Sequence, residues 1–209
     1  KFCKEFSKLY GASETYFLIN YLFSLLIEAD KLDASDTSLY DRVNIAADAV
    51  DRLLRNSTHQ LRTKVRHSVV SRLDELDLQR QKIFTLTAPT GVGKTYTALD
   101  FALKLKARVP ELHKSQIIYA LPFINIIEQG YAEYTKALGG SCKILAHYQY
   151  ADIFGEENKK GKGGYDEKAY HQKLMELDTW QSDIVITSFV QLLQTIIGYR
   201  NKILKKFNH

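Results

Sequence analysis

The sequence predicts an α/β fold, a parallel sheet with helices on its faces, preceded by a wholly helical segment. Three observations lead there. From Gln81 onward, short runs of strand-forming residues alternate with amphipathic helical stretches. The first of those runs leads into a glycine-rich loop that opens a helix. Before Gln81 the apolar periodicity is helical throughout.

The N-terminal part supplies three helices. Glu14–Glu28 carries apolar residues on nearly every face, as a buried core helix does. Asp41–Leu54 places Val43, Ala46, Ala47, Val50, Leu53 and Leu54 at helical spacing. Ser57–Leu76 repeats the pattern with Leu61, Val65, Val69 and Leu73. No proline precedes Pro89, so nothing forces a break in these helices.

The strand–helix alternation follows. Ile83–Thr87 (IFTLT) reads as a buried parallel strand. A helix runs from Lys94 to about Lys106, with Ala98, Leu99, Ala102, Leu103 and Leu105 inward. Gln116–Leu121 is the next strand. Phe123–Leu138 is a helix closed by Gly139-Gly140. Lys143–Ala146 and Asp183–Thr187 are further strands, the latter followed by the helix Phe189–Gly198. Gly155–Lys168 is poor in apolar residues and rich in Lys and Gly, and reads as a solvated loop or, alternatively, as a phosphate-contacting one.

Composition excludes several classes. The net charge of +5 permits polyanion binding without requiring it. Two cysteines, Cys3 and Cys142, support neither a disulfide framework nor a zinc site and suit a reducing cytoplasm. The longest apolar run, Tyr16–Ile27, is too short to cross a membrane. The segment Lys1–Tyr10 is mixed and charged, unlike a signal peptide. Its start without Met suggests a piece of a longer chain.

The chemistry lies in Ala88-Pro89-Thr90-Gly91-Val92-Gly93-Lys94-Thr95. Gly93-Lys94-Thr95 is the ending of a phosphate-binding P-loop. Glycines let successive amides point at one anion. The helix that follows aims its positive end at the same place. Lys94 adds a full charge near the β- and γ-phosphates of ATP, and the Thr95 hydroxyl is the expected Mg²⁺ ligand. The opening Ala88, in place of glycine, is common in helicases.

The motif series then resembles a family. Ile83–Leu105 resembles motif I of superfamily 2 helicases, Ile117–Gln129 their motif Ia, and Asp183–Gln194 the later DNA-contacting motif of the first RecA-like domain. The order TAPTGVGKT, ALPFINIIEQ, HYQYAD, VITSFVQLLQ is most similar to the helicase–nucleases of type I CRISPR interference. The resemblance covers nearly the whole chain. It implies a RecA-like parallel sheet over 81–209, a helical linker over 57–80, and the C-terminal helices of an HD-type nuclease domain over 1–56. In LLIEADKLDAS, Asp30 matches the last metal-binding aspartate of the HD site, which would use a divalent transition metal in the longer protein. The chain has no His-Asp pair, and a lone Asp30 cannot hold a metal.

The resemblance also implies backbone contacts to single-stranded DNA from Pro122, Asn125 and Gln129, and from Thr187, Ser188 and Gln191. Hydroxyls, amides and helix N-termini suit phosphates and carry little base information. Arg200, Lys202, Lys205 and Lys206 form a further basic run. No Asp-Glu pair follows Thr187 to complete hydrolysis, so these residues are expected to be an excerpt of a longer enzyme, inactive alone. That enzyme would be cytoplasmic, without membrane association, and would degrade foreign DNA after recruitment by an RNA-guided surveillance complex. Two alternatives stay open: another superfamily 2 helicase acting on DNA or RNA without a nuclease, and a nucleotide-gated nucleic-acid-binding module.

Overall fold

The computed structural model describes residues 11–147 and 175–197. The expected loop Gly155–Lys168, the basic run Arg200–Lys206, Cys3 and the segment Lys1–Tyr10 lie outside these residues.

Among the described residues three parallel strands form the sheet: β1 (Ile117–Leu121), β2 (Ile144–His147) and β3 (Ile184–Ser188). Their spatial order is β1-β3-β2, so β3 is central. Its residues Ile184, Val185, Ile186 and Thr187 are buried on both faces, as parallel pairing under helical layers demands. The register sets Ile117 beside Ile184 and Leu121 beside Ser188.

Helices accompany the sheet: α1 (Ala12–Ala34), α2 (Ala49–Leu54), α3 (Gln60–Ser71), α4 (Lys94–Arg108), α5 (Ile124–Leu138) and α6 (Phe189–Ile197), with a further helical turn at 175–179. One sheet face carries Tyr119, Leu121, Ile184 and Ile186, two residues apart along each strand. Against it pack Leu99 and Leu103 of α4, Ile127, Tyr134 and Leu138 of α5, and Ala49 and Val50 of α2. Helix α5 ends where Gly139 takes a left-handed φ of 55°, its amide returning to the Thr135 carbonyl.

Three expected elements differ. The strand expected at Ile83–Thr87 pairs with none of the three strands. The central strand already has both edges filled, and the segment reaches neither remaining edge. Its Ile83 is 82% exposed and Leu86 45% exposed, although Phe84 meets Phe101 edge-on. Local strand propensity without a partner does not make a strand.

The helix expected over Asp41–Leu54 forms only at Ala49–Leu54. Residues 40–43 are held by the start of β3 instead. The Tyr40 hydroxyl and the Val43 amide both donate to the Asp183 carboxylate, and Arg42 Nε donates to the Ser182 carbonyl. Those bonds draw the segment across the sheet end and out of helical geometry.

Helix α1 forms as expected but is not the buried core helix expected from its apolar residues. Its inward positions are Thr15, Asn20, Ser24, Glu28 and Leu32, while Phe17, Leu22, Phe23 and Leu26 are exposed. Asn20 and Ser24 satisfy themselves on the helix's own carbonyls of Tyr16 and Tyr21. Glu28 takes a bond from Gln181, and Lys31 pairs with Asp178 at 2.7 Å. The docking of α1 is therefore largely polar, and Phe17, Leu22, Phe23 and Leu26 are left outward.

An ion network joins α2, α3 and α4. Asp100 of α4 is fully buried. Arg66 of α3 meets it at 2.6 Å and meets Asp51 of α2 at 2.5 Å. Lys104 closes the ring on Asp51 at 2.7 Å and on Asp100 at 2.9 Å. Burial alone would raise the Asp51 pKa, but bonds from Lys104 and Arg66 outweigh it and hold the carboxyl below its ordinary value. Removing one partner of a buried pair leaves the other charge uncompensated, so Arg66→Ala is expected to cost about 3–5 kcal/mol in denaturant unfolding. Arg72→Ala, which breaks an exposed pair with Glu75, is expected to cost about 0–1 kcal/mol. Equal midpoints for the two variants would contradict a stabilising network.

Candidate nucleotide site

The segment Ala88–Thr95 forms a loop that closes directly into α4. Gly91 and Gly93 carry φ values of 82° and 85°, left-handed conformations that side chains resist. Gly93 is the residue preceding the first turn of α4. A methyl group on Gly91 would meet nothing within 4 Å, so the loop is open on that side.

The amides decide what the loop can do. The first intrahelical bond of α4 runs from the Thr97 amide to the Gly93 carbonyl, and the Thr97 hydroxyl donates to the same oxygen. The N–H groups of Val92, Gly93, Lys94, Thr95 and Tyr96 have no acceptor among the described residues. A row of unpaired donors at a helix N-terminus, with no aspartate or serine capping it, is a fixed field for an anion. Lys94 is exposed and donates to the Ala88 carbonyl at 3.0 Å, which lays its ammonium across the loop. Pro89 and Thr90 are exposed, while Val92 is buried and roots the loop in the core.

The surroundings brace this loop. Burial raises the pKa of the Tyr119 phenol on β1, and the half-buried Thr95 side chain partly offsets that. The Tyr119 ring stacks on Tyr134 of α5, centroids 5.1 Å apart. Tyr96 donates to Glu133 of α5, and burial together with that carboxylate pushes the phenol's pKa well up. Arg62 of α3 donates from Nε to the Gly91 carbonyl at 3.0 Å.

Sequence reasoning missed Arg62, Arg66, Tyr119 and Glu133. A signal existed for two of them. Asp100 sits among the inward apolar residues Leu99 and Leu103, and a carboxylate there requires a cation. Arg62 and Arg66, four apart, share one helical face and offer it.

The expected nucleic-acid residues gather at one end of the sheet. Pro122, Asn125 and Gln129 are exposed just beyond β1. Ser188 ends β3 beside Leu121 in register, so both sets share the carboxyl edge of the strands, where open α/β sheets bind ligands. The Ser188 hydroxyl accepts from the Gln191 amide at 3.1 Å and caps α6. Thr187 is buried, and its hydroxyl donates to the His147 carbonyl at 2.7 Å, tying β3 to β2. Its side chain therefore serves the sheet. Asp30 is exposed on α1, and no group of three potential metal ligands occurs among the described residues. Asp30 alone does not make a metal site. The loop residues do fit a triphosphate with Mg²⁺. The unpaired amides and Lys94 supply the phosphate contacts, and Thr95 supplies a hydroxyl.

Residues 46–208 match the family described as the res subunit of type III restriction enzymes. A CRISPR-associated nuclease/helicase, Cas3, from Haloferax volcanii is 28% identical over 171 residues. That match covers 76% of this chain and 18% of the relative, so the chain spans less than a fifth of that protein's length. The α/β parallel-sheet class expected from the sequence stands, as does the resemblance to the helicase–nucleases. No helix of the described residues is long and apolar enough to cross a membrane.

A residue with a side chain at φ 85° is strained by about 1–2 kcal/mol. Gly93→Ala is expected to lose that much stability by denaturant titration, because the added methyl meets only ordinary contacts with Arg62 at 3.6 Å. A variant as stable as the parent would mean that the loop relaxes out of this conformation at no cost.

Proposed function

The chain belongs to the family of the type III restriction enzyme res subunit, and from that premise we propose that it is the ATP-binding front part of a superfamily 2 DNA motor. The row of unpaired amides from Val92 to Tyr96, with Lys94 laid over it, carries the reading. These groups grip the phosphates of ATP. Thr95 contributes a hydroxyl toward Mg²⁺, which when bound supplies charge neutralisation at the phosphates. This loop binds and orients the nucleotide; other parts of a longer protein complete hydrolysis.

Single-stranded DNA lies across the carboxyl edge of the sheet in this reading. The exposed Pro122, Asn125 and Gln129 meet its backbone from one side. The β3–α6 junction at Ser188 and Gln191 meets it from the other, with Thr187 holding that junction rigid from within. Contacts of this type follow the phosphates and leave the bases unread, as movement along any sequence requires.

Similarity to a protein named as a nuclease/helicase favours a further reading, in which the motor feeds a metal-dependent HD nuclease. Asp30 would then be one ligand of a site completed by residues outside this chain. The whole protein would degrade foreign DNA for an RNA-guided surveillance complex in the cytoplasm.

In the full-length protein, ATP turnover is expected to rise when single-stranded DNA is added. Lys94→Ala is expected to reduce turnover by about a hundredfold or more, the scale for removing one fixed donor from a charge-stabilising site. Turnover unchanged in that variant would overturn the phosphate assignment, and turnover indifferent to DNA would overturn the motor.

A further inference from the structure

We propose that Arg62 is a positioning residue of the phosphate loop, holding its amides in the orientation that receives the nucleotide; the inference rests on the nucleotide-binding reading of Ala88–Thr95. Arg62 lies outside the motif, on α3, yet its Nε donates to the Gly91 carbonyl at 3.0 Å. The peptide linking Gly91 to Val92 is planar and trans, so its C=O and N–H point in opposite directions. Fixing the carbonyl on Arg62 therefore fixes the Val92 N–H away from it. Gly91 has a left-handed φ, and nothing lies within 4 Å of where a methyl would stand on it, so little else restrains that peptide's rotation.

Two further observations make the contact more than a surface accident. The stem of Arg62 lies along Gly93: its Cβ, Cγ and Cδ would each be 3.6 Å from a methyl placed there. The side chain thus touches both left-handed glycines of the loop. One turn along the same face, Arg66 is pinned in the buried network with Asp51 and Asp100. That network fixes α3 against α4, and so fixes the origin from which Arg62 reaches the loop. Arg62 itself is exposed. Its bond adds little to folding, and its effect falls on how ready the loop is to bind.

The test uses the full-length protein with MgATP, measuring KM for ATP, kcat at saturating ATP and the melting temperature. Arg62→Ala is expected to raise KM about tenfold, the scale of one hydrogen bond from a charged donor, with kcat and melting temperature close to the parent's. Arg62→Lys is expected to recover part of the loss, since an ammonium also donates to a carbonyl. An unchanged KM in Arg62→Ala overturns the inference. So does a loss in which kcat and melting temperature fall while KM stays, because that pattern belongs to a structural role. Failure of the parent protein to turn over ATP overturns the nucleotide reading itself, and Lys94→Ala identifies that case separately.

Discussion

Asp100 projects from the inner face of α4 into a place with no access to water, between Leu99 and Leu103. A carboxylate in such a place is stable only if a cation comes to it. Arg66 arrives from α3 and Lys104 from the next turn of α4, and both also hold Asp51 of α2. Burial alone would lower the pKa of Arg66, yet the two carboxylates outweigh it and keep the guanidinium charged. Three helices thereby share one electrostatic knot. The direction of α4, and with it the direction of the loop that opens α4, follows from this knot.

The phosphate loop depends on that orientation in a second way. A helix N-terminus attracts an anion only if its amides are neither capped nor turned aside. Here no side chain caps α4, and the restraints come from outside: Arg62 on the Gly91 carbonyl, and Glu133 on Tyr96. Each holds a group that is not itself an amide donor. The donors stay free while their neighbours are fixed, which is the condition for binding without prior rearrangement.

Much of this was legible in the sequence, for physical reasons. The loop is a local object: two glycines, a lysine and a threonine dictate its conformation and charge within a few residues. Helix α5 and its stop at Gly139 are equally local. The central strand β3 was legible because a fully buried parallel strand leaves an unbroken apolar run. What escaped was decided by distant partners. Ile83–Thr87 has the composition of a strand, but pairing is a property of two segments. Asp41–Leu54 has helical spacing, but Asp183, far along the chain, takes donors from Tyr40 and Val43 at its start. Helix α1 shows apolar residues on nearly every side, and polar contacts near Asp178–Gln181 help decide which side turns inward.

Amide hydrogen exchange across residues 88–97 of the full-length protein, with and without MgATP, tests the account most directly. The expected result is slow exchange of the Val92–Tyr96 amides when MgATP is present and fast exchange when it is absent, because those donors have no acceptor of their own. Exchange in that stretch that stays the same on adding MgATP, or that is already slow without it, would contradict a loop whose free amides are the phosphate site.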